Sequence, residues 1–358
     1  MIKPFCGTFR EDEIVFLLHP VVIPLTPVPE KERLLQSGAR HYSEMLSEER
    51  PPSRDHLAVF WKAVRRNGRR MALEILRLAF SIASRHAPDE PLILASLVRA
   101  GCPVGVLLSK ALKLIGQNNI KHYGVSIIRD RGLDGAAWQI ISSQAPPENI
   151  YFVDGWTGKG AICHELAKSL GSTPHTLVVL TDMCGGAQLC ASSDDWLIPS
   201  GILGAPINGL ISRSLWAENG LHGCMLWDSL APWDVTREFI DHIVSLWTRE
   251  MLAEAAASRK WPQETNNKIR KIETDQVIKK IMRLYGVEER NHIKPGIAEA
   301  TRAILRRVPD CVLVSDSSDP DLELLVGLSR EKNVKVHEAG KSIWPYKAMT
   351  IIKSLKRP

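Results

Sequence analysis

The sequence of 358 residues contains no C-x-x-C pair and no long uninterrupted apolar run. Its seven cysteines are scattered, which argues against a zinc ribbon and a disulfide framework and favours reduced thiols. Near the start, acidic residues, His19 and Pro20 interrupt the apolar stretches, so neither a signal peptide nor a membrane span is indicated. We therefore expect a cytoplasmic protein with no membrane partner.

Two nucleotide-binding motifs are also missing, since no P-loop and no G-x-G-x-x-G pattern accompanies the glycine-rich stretch IYFVDGWTGKGAICH, residues 150–164. There an apolar strand pattern ends in Asp154, and Thr157, Gly158, Lys159 and Gly160 lead into a helix pattern. Consecutive backbone N–H groups and a helix N-terminus at such a turn can hold a phosphate. An ordinary strand-to-helix turn remains the alternative.

The composition is that of a globular protein, with 44% hydrophobic and 24% charged residues. The length is sufficient for two domains. A net charge of +6 favours anionic partners but does not separate nucleic acid from phosphorylated metabolites.

Strand and helix patterns alternate in the first part of the chain. Amphipathic helix spacing covers residues 55–86, and strand patterns end near Val98, Ile128, Val153 and Thr181, the last leading into a loop. This alternation predicts an α/β fold with a largely parallel sheet and helices on both faces. Ligands of such sheets bind at the carboxyl ends of the strands.

The composition changes to a highly charged stretch near residue 253 and alternates again after residue 288. We interpret residues 1–255 as the main domain, residues 256–288 as a helical connector and residues 289–358 as a small C-terminal α/β/α domain. No internal repeat relates the two domains.

The motifs VRAGCPVG, HYGVSIIRDRG and IYFVDGWTGKGAI resemble, in this order, the type I phosphoribosyltransferase pattern. The resemblance implies that family's fold, with phosphoribosyl pyrophosphate or a related ribose-phosphate compound as substrate. It implies Asp154 as the ribose-binding acid and Arg129 and Arg131 as cations that neutralise pyrophosphate. The other implied substrate-binding residues are Arg99, Ala100, Gly101, Cys102, Gly155, Trp156, Thr157, Gly158, Lys159, Gly160 and Ala161.

The reaction expected from this resemblance forms or cleaves a glycosidic bond at C1 of the ribose, with Mg²⁺ assisting. Fixed cations and N–H groups would stabilise the charge that develops on the leaving pyrophosphate. Asp194 and Asp195 are candidate magnesium ligands, because carboxylate oxygens suit that ion. Capping of the following segment is their alternative role. Val153 stands where the family has the first of two adjacent acids.

The first 240 residues, with DDWLIPSGIL and GLISRSLW, resemble more closely a bacterial subfamily found with tellurite-resistance and stress operons. That subfamily is described as a phosphoribosyltransferase-like domain joined to a Pelota-type RNA-binding domain, and is also labelled the cysteine protease StiP family. The segment KPGIAEATRAIL resembles the Pelota signature, with Ala298 in its asparagine position. The resemblance implies contacts with structured RNA from Lys294, Gly296, Glu299 and Arg302.

Two other functions remain open. A cysteine protease would use Cys184, which follows a strand in a glycine turn, with Cys102 as the second choice and His164, His175 or His222 as the base. A stress protein that binds RNA without catalysis is the other alternative. The oligomeric state, with a homodimer as one possibility, is not defined by the sequence.

Overall fold

The computed structural model describes residues 5–258 and 264–354, with backbone only for residues 264–266. Its strands are β1 Val15–Phe16, β2 His19–Pro20, β3 Leu92–Leu97, β4 Ile120–Val125, β5 Ile127–Ile128, β6 Gly132–Leu133, β7 Ile150–Trp156, β8 Thr176–Thr181, β9 Leu189–Ser192, β10 Gly223–Cys224, β11 Ile293–Pro295, β12 Pro309–Val314, β13 Lys335–Glu338 and β14 Ala348–Ile352. Its helices are α1 Val28–Gln36, α2 Arg54–Ala83, α3 Gly101–Leu114, α4 Gly135–Ser142, α5 Ala161–Leu170, α6 Thr236–Ser245, α7 Arg249–Ala257, α8 Glu264–Leu284, α9 Ile297–Arg306 and α10 Glu323–Glu331.

The main sheet has six strands in the order β1-β4-β3-β7-β8-β9, and every neighbouring pair is parallel. Successive side chains of its central strands point to opposite faces and enter two separate apolar clusters. Helices α2 and α3 cover one face, and α4 and α5 cover the other. The expected α/β class, with helices on both faces of a parallel sheet, is confirmed.

Helix α2 is a single helix of 30 residues in the region where the sequence predicts one or two. The hydroxyl of Ser53 caps it by accepting a hydrogen bond from the backbone N–H of His56 at 3.1 Å. Its apolar face, including Met71, Ile75 and Ile82, is completely buried against the sheet. Burying one such side chain contributes about 1.5–3 kcal/mol, so this packing holds the long helix on the sheet.

Strand β9 lies inside the segment that the sequence predicts to be a loop. Its four residues pair with β8 and extend the sheet at that edge. A short run containing Cys190, Ala191 and Ser192 has no strong β-strand pattern, and pairing with β8 determines its conformation. The expectation of an uninterrupted loop after Thr181 is therefore wrong.

The C-terminal unit has its own sheet in the order β11-β14-β12-β13, in which only the β12–β13 pair is parallel. Helices α9 and α10 pack on it, which confirms a small second α/β unit. Its core residues Ile297 and Val312 belong to the same apolar cluster as Val153 of the main sheet. The proposed domain boundaries remain predictions, and residues 259–263 of the connector lie outside the described residues.

The carboxylate of Asp195 fixes the C-terminal unit on the main one. Its oxygens accept hydrogen bonds from the backbone N–H groups of Ile297 at 3.0 Å and Lys347 at 2.8 Å. Ile297 is the first residue of α9, so this carboxylate stabilises the positive end of that helix. Arg307 and Glu32 add a second link, an ion pair at 2.6 Å between α1 and the residue that follows α9.

Within residues 5–258 and 264–354, no helix combines the length and apolar character needed to cross a membrane.

Gly101, the first residue of α3, lies directly against the end of β7. A Cβ atom added to it would lie 2.1 Å from the backbone oxygen of Val153, which cannot move without breaking the sheet. We expect Gly101→Ala to reduce the free energy of unfolding by about 3 kcal/mol or more, measured by chemical denaturation. Gly135→Ala is the matched control, because nothing lies within 4 Å of its Cβ position in the first turn of α4. Equal stabilities of the two variants would contradict this account.

Candidate active site at the ends of two strands

Asp182 follows β8 and joins that strand end to the turn after β7. Its carboxylate accepts hydrogen bonds from the hydroxyl of Thr157 at 2.7 Å, the N–H of Gly186 at 3.1 Å and the N–H of Ala187 at 3.0 Å. The side chain is fully buried. Because a buried carboxylate needs such donors, these bonds fix the two turns relative to each other.

Cys184 lies inside the turn that Asp182 holds. Its thiol donates to the Asp182 carboxylate, with 3.6 Å between sulfur and oxygen, and the residue is 5% exposed. The sulfur also lies close to backbone, since a Cβ atom on Gly160 or on Gly186 would be 3.2 Å from it. Glycine at both positions makes the room that the thiol occupies.

Cys163, in the first turn of α5, is a second thiol beside Cys184. A hydrogen bond between the two side chains, together with burial, raises the pKa of Cys163 well above its usual value. Cys163 therefore remains a protonated thiol at neutral pH. A protonated thiol is a hydrogen-bond donor, and Cys163 directs it at the sulfur of Cys184.

The N-terminus of α5 is directed at the same place. Gly160 is its N-cap residue, with φ of 82°, and no side chain caps the helix. The first N–H groups of a helix lack intrahelical acceptors and carry the positive end of the helix dipole. Gly160 adjoins the sulfur of Cys184, since a Cβ atom on it would be 3.2 Å away, and N–H groups at this helix start can stabilise an oxyanion formed there.

Cys102, the second candidate nucleophile, and the three candidate histidine bases are poorly placed for catalysis. Cys102 is completely buried, and burial with the nearby Asp154 raises its pKa far above the usual value. His164 is exposed, the ring N–H of His175 is directed at the carbonyl of Thr173, and His222 hydrogen-bonds Ser126 at 2.7 Å. In the described part of the chain, no histidine ring hydrogen-bonds the thiol of Cys184.

A cavity of about 950 Å³ opens next to this junction, between the main unit and the C-terminal unit. Eight of the residues predicted from the phosphoribosyltransferase resemblance line it, namely Arg99, Ala100, Arg129, Asp154, Trp156, Thr157, Lys159 and Ala161. Six others do not line it: Gly101, Cys102, Arg131, Gly155, Gly158 and Gly160. The sequence therefore predicts that these residues gather at the ends of neighbouring strands. Several of their side chains, however, already bond to other groups of the protein.

Three cations of this predicted set, Lys159, Arg99 and Arg131, form hydrogen bonds or ion pairs with other residues of the protein. Lys159 donates to the carbonyls of Arg290 and Ile293 at 3.0 and 2.8 Å, in the C-terminal unit. Arg99 pairs with Glu49 at 2.6 Å. Arg131 pairs with Glu44 and stacks on a tryptophan ring away from the cavity.

Asp154 accepts a hydrogen bond from the N–H of Gly155 at 2.7 Å. Burial raises the pKa of Asp154 to about 7, although this hydrogen bond and the Arg302 guanidinium oppose the shift. Arg302 itself lies over the ring of Trp156, 4.6 Å from its centre. This carboxyl group is therefore partly protonated near neutral pH.

The two predicted magnesium ligands have other partners. Asp194 pairs with Arg70 at 2.8 Å, and both oxygens of Asp195 accept backbone N–H groups. Both oxygens of Asp195 are therefore occupied, whereas Asp194 is exposed and uses one oxygen for its ion pair, and magnesium binding remains a prediction. The described residues also contain no group of three or more His, Cys, Asp or Glu side chains arranged for a metal.

The residues expected to contact RNA face the main unit. Lys294, Glu299 and Arg302 line the cavity, and a Cβ atom on Gly296 would be 3.1 Å from the side chain of Met183. RNA binding through them remains a prediction.

Sequence reasoning missed several residues that shape the site. Asp182 was visible as an acid at a strand end, in TLVVLTD, but the sequence gives no sign of its bonds to two turns. Lys31, Arg213 and Arg306 come from distant segments and meet only in the folded cavity.

Comparison with known proteins places this parallel α/β protein with its strand-end thiol in one family. Residues 7–244 match the family model described as tellurite-like stress resistance cysteine protease StiP, and residues 272–354 match the PELOTA RNA binding domain. A relative from Acinetobacter baylyi, named cysteine protease StiP, is 43% identical and is aligned over 98% of this chain and 95% of its own. The chain belongs to the StiP family.

Two solved structures also match. One is hypoxanthine phosphoribosyltransferase from Trypanosoma cruzi with the product IMP, at 14% identity and a TM-score of 0.29, over 36% of this chain and 72% of the other. The second is an asparagine mutant of such an enzyme, at 15% identity and a TM-score of 0.27, over 36% and 74%. Scores this low carry no argument.

The expectation of a phosphoribosyltransferase is wrong. The family and the full-length relative are both named as cysteine proteases, and the expected substrate, phosphoribosyl pyrophosphate, is withdrawn together with the transferase interpretation. Stress response and tellurite resistance agree with the family description.

Removing the Asp182 carboxylate leaves the hydroxyl of Thr157 and two turn N–H groups without their acceptor. We expect Asp182→Ala to lower the free energy of unfolding by about 2–4 kcal/mol, measured by chemical denaturation. Asp194→Ala is the control, because that side chain is 67% exposed and its ion pair with Arg70 is worth less than about 1 kcal/mol. A similar small loss in both variants would show that Asp182 does not hold the turns.

The raised pKa of Asp154 gives a prediction about pH. An acid whose pKa is higher in the folded than in the unfolded state stabilises the fold below pH 4 and loses this contribution as pH rises through about 7. Between pH 4 and 8 we expect the free energy of unfolding of wild type to fall relative to Asp154→Asn, by on the order of 2 kcal/mol. Parallel curves for the two proteins would contradict the shift.

Proposed function

We propose that this protein is a cysteine peptidase of the StiP type, with Cys184 as its nucleophile. The observation that carries the proposal is the position of the Cys184 sulfur, which lies against the uncapped start of α5 and beside the carboxylate of Asp182. The names of the family and of the Acinetobacter baylyi relative support the reaction class.

The proposed chemistry follows from the groups around the sulfur. Asp182 contacts the thiol and accepts its proton, and the sulfur then forms a bond to the carbonyl carbon of the substrate peptide. The N–H groups at the start of α5 stabilise the resulting oxyanion. As the C–N bond breaks, the proton passes to the leaving amine and a thioester remains. Water then attacks the thioester, which releases the carboxylic acid product and restores the thiol.

Cys163 has a supporting role in this proposal. Its raised pKa keeps it protonated, so it donates to the Cys184 sulfur and does not compete as a nucleophile. The two thiols therefore have different tasks although they are neighbours.

Access to Cys184 is limited by the C-terminal half of the chain. Helix α8 packs on the turn, since a Cβ atom on Gly185 would be 2.1 Å from the backbone oxygen of Asn267. The hydroxyl of Tyr346 donates to the carbonyl of Gly158 at 3.1 Å. Substrate entry therefore requires this covering layer to move, and we propose that the form described here is the closed one.

The cytoplasm remains the proposed location. All seven cysteines are free, which supports a reducing compartment.

Cys184→Ala tests the nucleophile. We expect the hydrolysis of labelled, unfolded casein to fall by a factor on the order of 10³ or more, because the covalent intermediate cannot form. Alkylation with iodoacetamide, located by mass spectrometry, is expected at Cys184 and is expected to block hydrolysis.

Cys6→Ala and Cys102→Ala serve as controls, since Cys6 is remote from the site and Cys102 is the second thiol that the sequence suggested. Full hydrolysis by folded Cys184→Ala protein would exclude this residue as the nucleophile. Loss of activity in Cys102→Ala with normal stability would transfer the role to that thiol.

A further inference from the structure

The cavity between the two units carries a large excess of positive charge. Ten cationic side chains line it, against five acidic ones. The cations are Lys31, Arg99, Arg129, Lys159, Arg213, Lys294, Arg302, Arg306, Arg307 and Lys353. An excess of five positive charges around one cavity is unfavourable unless anions balance it.

Part of this charge is neutralised by acids just outside the cavity. Glu49 pairs with Arg99 at 2.6 Å and also with Arg306 at 3.6 Å. Glu32 pairs with Arg307 at 2.6 Å. Asp130 pairs with Arg129 at 2.9 Å in the same way, so these three carboxylates reduce the excess to about two positive charges, which is the amount left for a ligand.

Among the residues that the structure describes, six of the ten cations have no acidic partner. Lys159 and Arg213 donate to backbone carbonyls instead and Lys353 is exposed, which leaves three. Within the described residues, no carboxylate lies within ion-pair distance of Lys31, Lys294 or Arg302. The Nε atom of Arg302 is buried and has no hydrogen-bond acceptor. A buried donor without an acceptor destabilises the folded protein. An oxygen atom of a bound ligand would supply the missing acceptor.

The cations also weaken one another. Burial, with Arg213, Arg306 and Arg307 nearby, lowers the pKa of Lys31 to about 7. Burial lowers the pKa of Lys294 to about 8 and that of Arg302 to about 9. Burial is the largest cause of all three shifts, and around Lys31 the positive neighbours also outnumber the negative one.

We propose that the cavity binds a small molecule carrying two or more linked phosphate groups, held by Lys31 of the main unit and by Lys294, Arg302 and Arg306 of the C-terminal unit. Linked phosphates supply about three or more negative charges and the oxygens that Arg and Lys prefer. The volume of about 950 Å³ accommodates such a molecule. Binding alone is proposed, with no transfer of any group.

A small ligand fits better than an RNA chain. The cations converge on one cleft of about 950 Å³ between the two units, whereas an RNA-binding surface follows the nucleic-acid backbone along an extended face. The phosphates themselves can come from a nucleotide or from inorganic polyphosphate, because the recognised chemistry is the same.

Titration calorimetry with inorganic tripolyphosphate at pH 7 and low salt tests the site on the full chain. We expect saturable binding by wild type and a loss of at least about tenfold in affinity for Lys31→Met and for Arg306→Gln. Arg33→Met is the matched control, because Arg33 lies on the same helix as Lys31 but is exposed and paired with Glu30 at 2.9 Å. Its affinity is expected to equal that of wild type.

Thermal unfolding curves verify that each variant is folded before titration. No binding by wild type, or an equal loss in Arg33→Met and Lys31→Met, would overturn the proposal. ATP binding more tightly than tripolyphosphate identifies a nucleotide as the source, and the reverse identifies polyphosphate. Tighter binding of a ten-nucleotide RNA, sensitive to the same residues, would overturn the proposal in favour of RNA. Because the readout is binding heat, the result does not depend on the activity of Cys184.

Discussion

The buried carboxylate of Asp182 is the contact on which the geometry of the site depends. It joins the end of β8 to the turn after β7 through Thr157, and it holds the glycine turn through two N–H groups. A charge in this position is tolerated only because all of these donors converge on it. The sulfur of Cys184 is therefore placed by the hydrogen bonds of its neighbour, since the glycine turn alone would leave it mobile.

The C-terminal unit connects the thiol and the cationic cavity, because it forms part of the covering layer of both. Lys31 belongs to the main unit and Arg306 to the C-terminal unit, and their positive charges repel each other. Asp195 and the Arg307–Glu32 pair oppose that repulsion. An anion between the units would remove the repulsion and hold them together, whereas an empty cavity favours separation.

The sequence predicts the alternating elements of the fold and the strand-end position of the site, because apolar periodicity and glycine turns are local signals. It also contains the thiol that the family name implies. It does not show that Lys31, Arg213 and Arg306, from three distant segments, line one cavity. That arrangement depends on the docking of two units, which no local pattern encodes. Strand β9 was missed for the same reason, since its conformation is imposed by pairing with β8.

The turn from Thr157 to Gly160 explains why a phosphate-binding motif misled the functional interpretation. Its glycines do provide a tight turn before a helix, as the pattern predicts. The side chains, however, are engaged within the protein: Thr157 donates to Asp182, and Lys159 donates to two carbonyls of the C-terminal unit. Because its lysine already donates to carbonyl groups, this turn is less suited to bind phosphate than the cavity cations that have no acidic partner. In this chain we therefore assign the glycine turn to the proposed thiol site. The proposed anion site consists of the cations that line the cavity.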